Sequence, residues 1–132
     1  MVKVVAALIE KDGKILIAKR STGNESLIGK WEFPGGKVEA NEKEETAIER
    51  EIKEEFELII KANKFLVNNE CKYKNRTIDL RLYLCDLLGG EFKLHDHSEY
   101  VWVNAKQLLQ FDLAPGDVPL AKYVIDRSKK IE

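Results

Sequence analysis

The segment Trp31–Leu58 reads WEFPGGKVEANEKEETAIEREIKEEFEL, in which an aromatic stretch and a Pro-Gly-Gly sequence precede a glutamate-rich run. From about Glu42 to Glu57 this run has apolar residues at helical spacing, namely Ala47, Ile48, Ile52 and Phe56. Asn41 and Glu44 have the spacing of a capping box, so we expect the helix to begin near Glu42. With an advance of about 100° per residue, one face beside the apolar stripe collects three carboxylates: Glu51, Glu54 and Glu55. We expect the other glutamates of the helix, Glu44, Glu45 and Glu49, to be solvated.

Two interpretations of this acidic helix stand side by side. Like charges at this spacing destabilise a helix by roughly 0.2–0.5 kcal/mol per pair, and the basic residues Lys43, Arg50 and Lys53 offset that repulsion if the face is merely solvated. The helix alone favours this ordinary surface. The preceding Gly35-Gly36, which we expect to form a turn, favours a metal cradle, because backbone carbonyls without a neighbouring Cβ can approach a cation closely. Mg²⁺ prefers carboxylate and carbonyl oxygens, so the combination of turn and helix indicates a divalent metal site.

The residues of this segment also resemble a known family. The pattern Gly36-x5-Glu42-x7-Arg50-Glu51-Ile52-x-Glu54-Glu55-x-Glu57-Leu58 is similar to the Nudix box, G-x5-E-x7-R-E-U-x-E-E-x-G-U, where U is a bulky aliphatic residue. The one departure is Glu57, which stands where the family has glycine. Glycine there lets the chain turn at positive φ, so Glu57 must adopt that conformation or prolong the helix. The flanking residues 31–39 resemble the MutT-type branch, and the resemblance implies a single Nudix domain over residues 1–132.

The resemblance implies a catalytic centre with a bound Mg²⁺, with Mn²⁺ as the alternative ion. Carried over by position, the metal ligands are the carbonyl of Gly35 and the carboxylates of Glu51, Glu54 and Glu55. Glu54, Glu51 and Arg50 are the catalytic positions on the helix, and Glu42 and Gly36 support them. MutT-like proteins have an acid six residues before a strand tryptophan, which selects Asp96 before Trp102, with Glu99 as the second choice. An ordinary loop acid is the alternative for Asp96, and we expect His95 and His97 in the same loop to be exposed.

The substrate pocket is expected to take residues from several parts of the chain: Arg20, Phe33, Tyr73, Arg76 and Asp117. Arg20 is either a phosphate- or base-contacting cation or a strand-edge cation, and Phe33 is either a base contact or a core residue. Asp117 precedes the last predicted helix, where an N-cap is the simplest role. As a carboxylate it only accepts hydrogen bonds, which favours bases with donor groups such as cytosine and 8-oxoguanine.

The resemblance implies Mg²⁺-dependent hydrolysis of a nucleoside diphosphate linked to a group X. The preferred hypothesis is a MutT-like nucleoside triphosphate pyrophosphohydrolase that releases nucleoside monophosphate and pyrophosphate from a damaged purine or a cytosine nucleotide. The alternatives are an ADP-ribose or dinucleoside polyphosphate hydrolase and a catalytically silent nucleotide-binding protein of the same fold. An ordinary α/β domain with an acidic surface helix is the simplest competing interpretation.

The composition narrows the class of protein. The chain has 132 residues with 22 basic and 23 acidic side chains, a net charge of −1 that does not favour binding to a nucleic acid polymer. The N-terminal apolar run is too short for a signal peptide or a membrane span. Cys71 and Cys85 do not form a CxxC pair, which favours two ordinary thiols in a reducing compartment, so we expect a cytoplasmic protein. We expect a monomer or a homodimer.

The remaining elements predict a mixed sheet with helices on it. Two short apolar runs, 4–9 and 15–18, flank Asp12-Gly13 and indicate a hairpin. Residues 77–84 alternate as in a half-buried strand, and residues 100–103 form another strand. Residues 104–110 and 118–127 predict two further helices, the first capped by Asn104. We therefore expect an α/β fold, a Nudix-like α/β/α sandwich whose catalytic helix follows the Gly-Gly turn.

Overall fold

A computed structural model describes residues 1–131 of the chain. The strands are β1 (Val2–Lys11), β2 (Lys14–Arg20), β3 (Trp31–Glu32), β4 (Gly35–Lys37), β5 (Leu58–Tyr73), β6 (Arg76–Gly90) and β7 (His97–Val103). The α-helices are α1 (Glu44–Phe56) and α2 (Val118–Ile131), and short 3-10 turns span Glu25–Leu27, Ala105–Gln110 and Pro115–Asp117. Within residues 1–131, no helix is both long and apolar enough to cross a membrane.

The strands form one mixed sheet with the order β3-β2-β1-β6-β5, in which β4 also pairs with β1 and β7 with β2. Strands β1 and β6 run parallel over Val2–Ile9, and the other pairings are antiparallel. The sheet carries a helix on each face, so the predicted α/β/α sandwich is confirmed.

Strand β1 supplies both cores because its side chains alternate between the two faces of the sheet. Val5, Ala7 and Ile9 pack with the α1 residues Ala47, Ile48, Ile52 and Phe56. Ala6 and Leu8 pack on the other side with the α2 residues Leu120, Ala121 and Val124. The apolar stripe predicted for α1 is therefore the stripe that it buries.

Three predictions about secondary structure are wrong. Helix α1 begins at Glu44 with Lys43 as its N-cap, and Asn41 has a φ of 63°, so Asn41 and Glu44 do not form a capping box. The Gly-Gly turn is absent from the described chain, since Gly35 and Gly36 belong to β4 and pair with Ala6 and Val5 of β1.

The third correction concerns the strand predicted at 77–84, which extends to 76–90 and is not half-buried. The face that carries Asp79 and Tyr83 is covered as well, and each of these residues is only 7% exposed. Tyr83 packs against the α1 core, and its hydroxyl donates a hydrogen bond to Glu44 of α1 at 2.8 Å. Tyr83 and Arg81 of this face therefore contact the helix, whereas Asp79 accepts hydrogen bonds from Asn68 of β5 and from Arg81.

Two of the glutamates that were expected to be solvated, Glu44 and Glu49, instead form hydrogen bonds between α1 and the sheet. Glu44 accepts from Tyr83 and from the Arg81 guanidinium, and Glu49 accepts the backbone N–H of Ala62 in β5 at 3.0 Å. These contacts fix the height and rotation of the helix, which in turn decides where its catalytic face lies.

Candidate active site

Arg50 is the centre of the hydrogen-bonded network on the outer face of α1. Its Nε and Nη2 donate to the two carboxylate oxygens of Glu42 at 2.7 and 3.0 Å, and Nη2 also donates to the Lys37 carbonyl at 3.1 Å. Its Nη1 donates to Glu51 at 2.9 Å and to Glu54 at 3.3 Å. The guanidinium lowers the pKa of Glu42 to about 2, so Glu42 stays ionised and holds Arg50 in place. The structure thus brings together Arg50 and Glu42, the two residues predicted to orient the carboxylates.

The two glycines of β4 are required by close contacts rather than by a turn. A Cβ on Gly35 would lie 1.9 Å from the carbonyl oxygen of Val5 in the paired strand β1. A Cβ on Gly36 would lie 2.3 Å from the carboxyl carbon of Glu51. Gly35 therefore allows the sheet to form, and Gly36 provides the space that the Glu51 carboxylate occupies.

Glu55 is the most perturbed carboxyl group of the cluster. Burial, and then the negative charges of Glu51 and Glu32, raise the pKa of Glu55 to about 8. Its Oε2 is buried without a hydrogen-bond partner among the described residues. Burial also raises the pKa of Glu51, despite its hydrogen bond from Arg50. Two neighbouring carboxyl groups with raised pKa values, one of them with an unpaired oxygen, favour a nearby positive charge. A hard divalent cation would supply that charge.

These oxygen donors are of the type that such a cation prefers, although their side chains do not converge on one point. Within residues 1–131, no three acidic, histidine or cysteine side chains form a finished metal site. Glu51 and Glu54 each accept a hydrogen bond from Nη1 of Arg50 instead. Glu51, Glu54 and Glu55 are the carboxylates that could hold the cation.

The segment between β6 and β7 closes over the C-terminal end of α1. The backbone N–H groups of Lys93 and His95 donate to the carbonyls of Phe56 and Glu55 at 3.0 and 3.2 Å. The helix ends at Phe56, and Glu57 follows with a φ of 55° in the left-handed region, as expected for a residue in the glycine position of the pattern. Its carboxylate lies 2.7 Å from Nε2 of His95. This docking carries the next residue, Asp96, to the side of Glu55.

Asp96, rather than Glu99, lies near the carboxylate cluster of α1. The charge of Asp96 contributes to the raised pKa of Glu55. The Asp96 carboxylate accepts from the Thr22 hydroxyl at 3.3 Å, and its carbonyl accepts from the Ser21 N–H at 3.0 Å. Glu99 lies on β7, is 57% exposed and pairs with Lys19 at 3.6 Å. The geometry thus supports the first choice between the two acids.

Arg20 belongs to a buried polar network that the sequence interpretation missed. Its Nε and Nη2 each donate to one oxygen of Glu32 at 3.1 Å, and Glu32 is only 8% exposed. Nε2 of His97 lies 2.9 Å from Glu32. Burial opposes ionisation of Glu32, but the hydrogen bonds from His97 and Arg20 outweigh it and lower the pKa of Glu32.

The prediction that His97 is exposed is wrong. Its side chain is 0% exposed and stacks on Phe56 with a distance of 4.8 Å between ring centroids. His95, in contrast, is half exposed. The acidic Glu32 between the aromatic residues Trp31 and Phe33 was the sequence signal that could have pointed to this network.

Asp117 lies directly before α2, as predicted, but its carboxyl group has a different chemistry. Its Oδ2 accepts the backbone N–H of Phe33 at 2.9 Å. Burial, and then the charge of Glu32, raise the pKa of Asp117 to about 8. The acceptor-only interpretation holds for the ionised carboxylate; with the pKa of Asp117 raised to about 8, we expect the neutral acid near neutral pH, which both donates and accepts.

The other predicted pocket residues lie in different parts of the fold. Phe33 is 3% exposed and packs in the α2 core, which supports the packing alternative. Tyr73 and Arg76 face each other across the β5–β6 hairpin end, where the Tyr73 hydroxyl contacts the Ser26 hydroxyl and Arg76 is exposed. On β5, Asn69 donates to the Gly116 carbonyl at 3.1 Å, so this strand borders the Asp117 turn.

Comparisons with known proteins identify the family of the chain. The pattern of the NUDIX domain matches residues 1–124. The chain is 38% identical over 120 residues to the CTP pyrophosphohydrolase of Escherichia coli strain K12, covering 91% of this chain and 88% of that protein. It is 40% identical over 116 residues to the putative 8-oxo-dGTP diphosphatase 2 of Mycobacterium tuberculosis strain H37Rv, covering 86% and 81%.

A solved structure shows the same fold. The solution structure of the E. coli ORF135 protein superposes with a TM-score of 0.88 at 35% sequence identity, over 98% of this chain and 92% of that one. Both cores and the carboxylate helix fall inside the matched region. The chain therefore belongs to the Nudix family and is a Nudix hydrolase.

Proposed function

We propose that this protein hydrolyses a nucleoside triphosphate to the nucleoside monophosphate and pyrophosphate in the presence of Mg²⁺, with Mn²⁺ as a possible substitute. The observation that carries the proposal is the buried, unpartnered Oε2 of Glu55, whose pKa is about 8, next to Glu51. The site is built to receive positive charge together with a polyphosphate.

The proposed metal ligands are the carboxylates of Glu51, Glu54 and Glu55 and the carbonyl of Gly35. When bound, the cation neutralises phosphate charge and lowers the pKa of a coordinated water. Arg50 and Glu42 hold the carboxylates, and Gly36 gives Glu51 its space. No other group on the described chain satisfies Glu55 Oε2, which makes the cation the simplest partner for it.

Glu54 and Asp96 are the proposed proton acceptors for the attacking water. Glu54 is 60% exposed, so its carboxylate is accessible to a water molecule. Asp96 lies near Glu55, since its charge contributes to the raised pKa of Glu55. In the reaction, water adds to one phosphorus atom, the bridging P–O bond between the α- and β-phosphates breaks, and the released proton passes to one of these carboxylates.

The nucleotide base is proposed to form hydrogen bonds with Asp117. As a neutral acid, Asp117 offers one donor and one acceptor, and cytosine has an amino donor next to the N3 acceptor. 8-Oxoguanine likewise has an N7–H donor next to the O6 acceptor. The two relatives named above act, by their names, on CTP and 8-oxo-dGTP, which supports this pairing. Arg20, Tyr73 and Arg76 are the proposed remaining contacts with the nucleotide.

The test is a substrate screen with Mg²⁺. CTP, dCTP, 8-oxo-dGTP, ADP-ribose and a dinucleoside polyphosphate are incubated with the protein, and the products are separated by phosphorus NMR. We expect the monophosphate and pyrophosphate from a cytosine or oxidised guanine nucleotide. Faster cleavage of ADP-ribose or the dinucleoside polyphosphate would replace the proposal by its enzyme alternative, and binding without turnover would indicate a nucleotide sensor.

The chain is further proposed to act as one Nudix domain over residues 1–132, as a monomer or homodimer. Light scattering on the purified protein measures the oligomeric state. The cytoplasmic location stays a prediction.

A further inference from the structure

The buried pair of Glu32 and His97 has no direct contact with the carboxylates of α1, yet it is costly to build. A buried carboxylate and a buried imidazole each lose hydration, which must be offset by hydrogen bonds. Glu32 receives two hydrogen bonds from Arg20 and one from His97. This arrangement needs a reason beyond packing, since apolar residues would fill the same space without that cost.

Strand β7 has a β-bulge where the His97 side chain enters the core. Lys19 pairs with Glu99, but Arg20 pairs with His97, so Ser98 is an extra residue in β7. In a regular strand His97 and Glu99 would face the same side. Glu99 is instead 57% exposed, and the His97 side chain is 0% exposed. The bulge therefore turns His97 inward at the position directly opposite Arg20.

The direction of the hydrogen bond follows from the charges. Glu32 is ionised because it pairs through both oxygens with the Arg20 guanidinium, so it can only accept. Nε2 of His97 therefore donates. Nδ1 is buried without a partner among the described residues, so His97 has one polar contact there, the bond to Glu32.

Arg20 is the end of this chain of contacts that faces the active site. The N–H of the next residue, Ser21, donates to the carbonyl of Asp96 at 3.0 Å, which places Arg20 beside the active-site segment, and the charge of Arg20 acts on both Glu55 and Asp117. A guanidinium held through two bonds to a fixed carboxylate keeps its remaining N–H donors in a fixed direction.

We propose that His97 is a positioning residue that fixes Glu32, and through Glu32 fixes the Arg20 guanidinium for contact with the nucleotide. The inference rests on the proposed function, because it assigns Arg20 to substrate binding. His97 itself does not touch the substrate.

Two substitutions separate the hydrogen bond of His97 from its packing. His97→Phe keeps a ring to stack on Phe56 but removes the donor, and His97→Gln keeps an N–H donor near the Nε2 position but removes the ring. We expect His97→Phe to raise KM for the preferred nucleotide about tenfold with kcat within about threefold, as for loss of a charge-assisted hydrogen bond. His97→Gln should stay within about threefold of the wild-type KM. The matched control Tyr100→Phe, which removes a hydroxyl from a partly exposed residue of the same strand outside the network, should leave KM unchanged.

A purely structural role predicts the opposite order, with His97→Gln the more damaged variant in both thermal stability and KM. Binding of a non-hydrolysable nucleotide analogue, measured by calorimetry, should follow the KM values and so gives a readout independent of turnover.

A double-mutant cycle makes the assignment to Arg20 decisive. In an Arg20→Ala background, His97→Phe should raise KM by less than about twofold further, because the group that it positions is gone. Fully multiplicative effects would overturn the proposal. Inactivity of the wild-type protein toward every nucleotide would instead overturn the proposed function, and the analogue titration would still report on the network.

Discussion

Gly36 and Glu51 are in contact across the junction of β4 and α1, so that a Cβ on Gly36 would lie 2.3 Å from both Cδ and Oε2 of Glu51. At the adjacent Gly35, a Cβ would meet the main-chain carbonyl oxygen of Val5 at 1.9 Å. The first obstacle is the end of a movable side chain, whereas the second is the backbone of a central strand. The two neighbouring glycines are therefore required for different reasons.

A pair of alanine substitutions should separate these roles. Gly36→Ala should fold with a melting temperature near that of the wild type, but it should lose Mn²⁺ binding and most activity because Glu51 is displaced. Gly35→Ala should lower the melting temperature strongly, since the β1–β4 pairing must shift. Calorimetric metal titration and thermal unfolding measure the two effects. Retained Mn²⁺ affinity in Gly36→Ala would contradict the role given to Glu51.

Replacement of Glu54 should remove catalysis without harming the fold. The side chain is 60% exposed, and a surface substitution of this kind changes stability by about 0.5 kcal/mol or less. We expect Glu54→Gln to lower kcat by roughly two to four orders of magnitude, the range for loss of a proton-accepting group. Glu45→Gln, at an exposed position of the same helix, is the matched control and should keep wild-type kcat. Unchanged turnover in Glu54→Gln would contradict the assignment.

Metal affinity should depend on pH through Glu55. Because its pKa is about 8 in the metal-free chain, a cation must displace a proton from Glu55 at lower pH. The apparent affinity for Mn²⁺ should therefore fall by about tenfold for each pH unit below 8. Titrations between pH 6 and 8 would show this slope, and Glu55→Gln should bind weakly with little slope. A pH-independent affinity in the wild type would show that Glu55 is not a ligand.

The local features of the site were accessible from the sequence. The spacing of Glu51, Glu54 and Glu55 relative to the apolar stripe of α1 depends only on helical periodicity, and the resemblance to the Nudix box adds Arg50, Glu42 and the glycines. Of the two alternatives for Glu57, the positive-φ conformation is the one observed, with a φ of 55°. These are properties of neighbouring residues along the chain.

The features that were missed depend on contacts between distant segments. Strand β5 was not predicted because register shifts near Ile59, Ala62 and Phe65 break the alternation that marks a strand. His97 was expected to be exposed because nothing in the sequence reveals the bulge at Ser98. The carboxylate of Glu49 has its partner in Ala62, on the following strand. Such partners are decided only when the sheet and helix pack.

The buried acid Asp117 should make stability depend on pH. Its folded-state pKa is raised from an ordinary 3.8 to about 8, so the folded state binds a proton that the unfolded chain releases. Stability should therefore be highest at low pH within this window and fall as pH rises from about 4 to 8, by up to about 1.4 kcal/mol per pH unit for one proton. Urea unfolding of Asp117→Asn, which is neutral throughout, should show a shallower decline than the wild type. Equal slopes would show that Asp117 ionises normally.

Glu57 occupies the position where the family pattern has glycine, and its left-handed conformation costs a non-glycine residue roughly 1–2 kcal/mol. Its half-exposed carboxylate interacts with His95 at 2.7 Å and Lys93 at 3.9 Å, contacts that are worth about 0–1 kcal/mol at a surface. Glu57→Gly should relieve more strain than it loses in contacts, and should raise the melting temperature by a few degrees. Glu57→Gln is the matched control, because it keeps the backbone strain and removes only the ionic contacts, so it should melt slightly below the wild type. If Glu57→Gly melted at or below Glu57→Gln, the interaction of Glu57 with the Lys93–His95 segment, rather than the backbone conformation, would dominate the stability of this helix end.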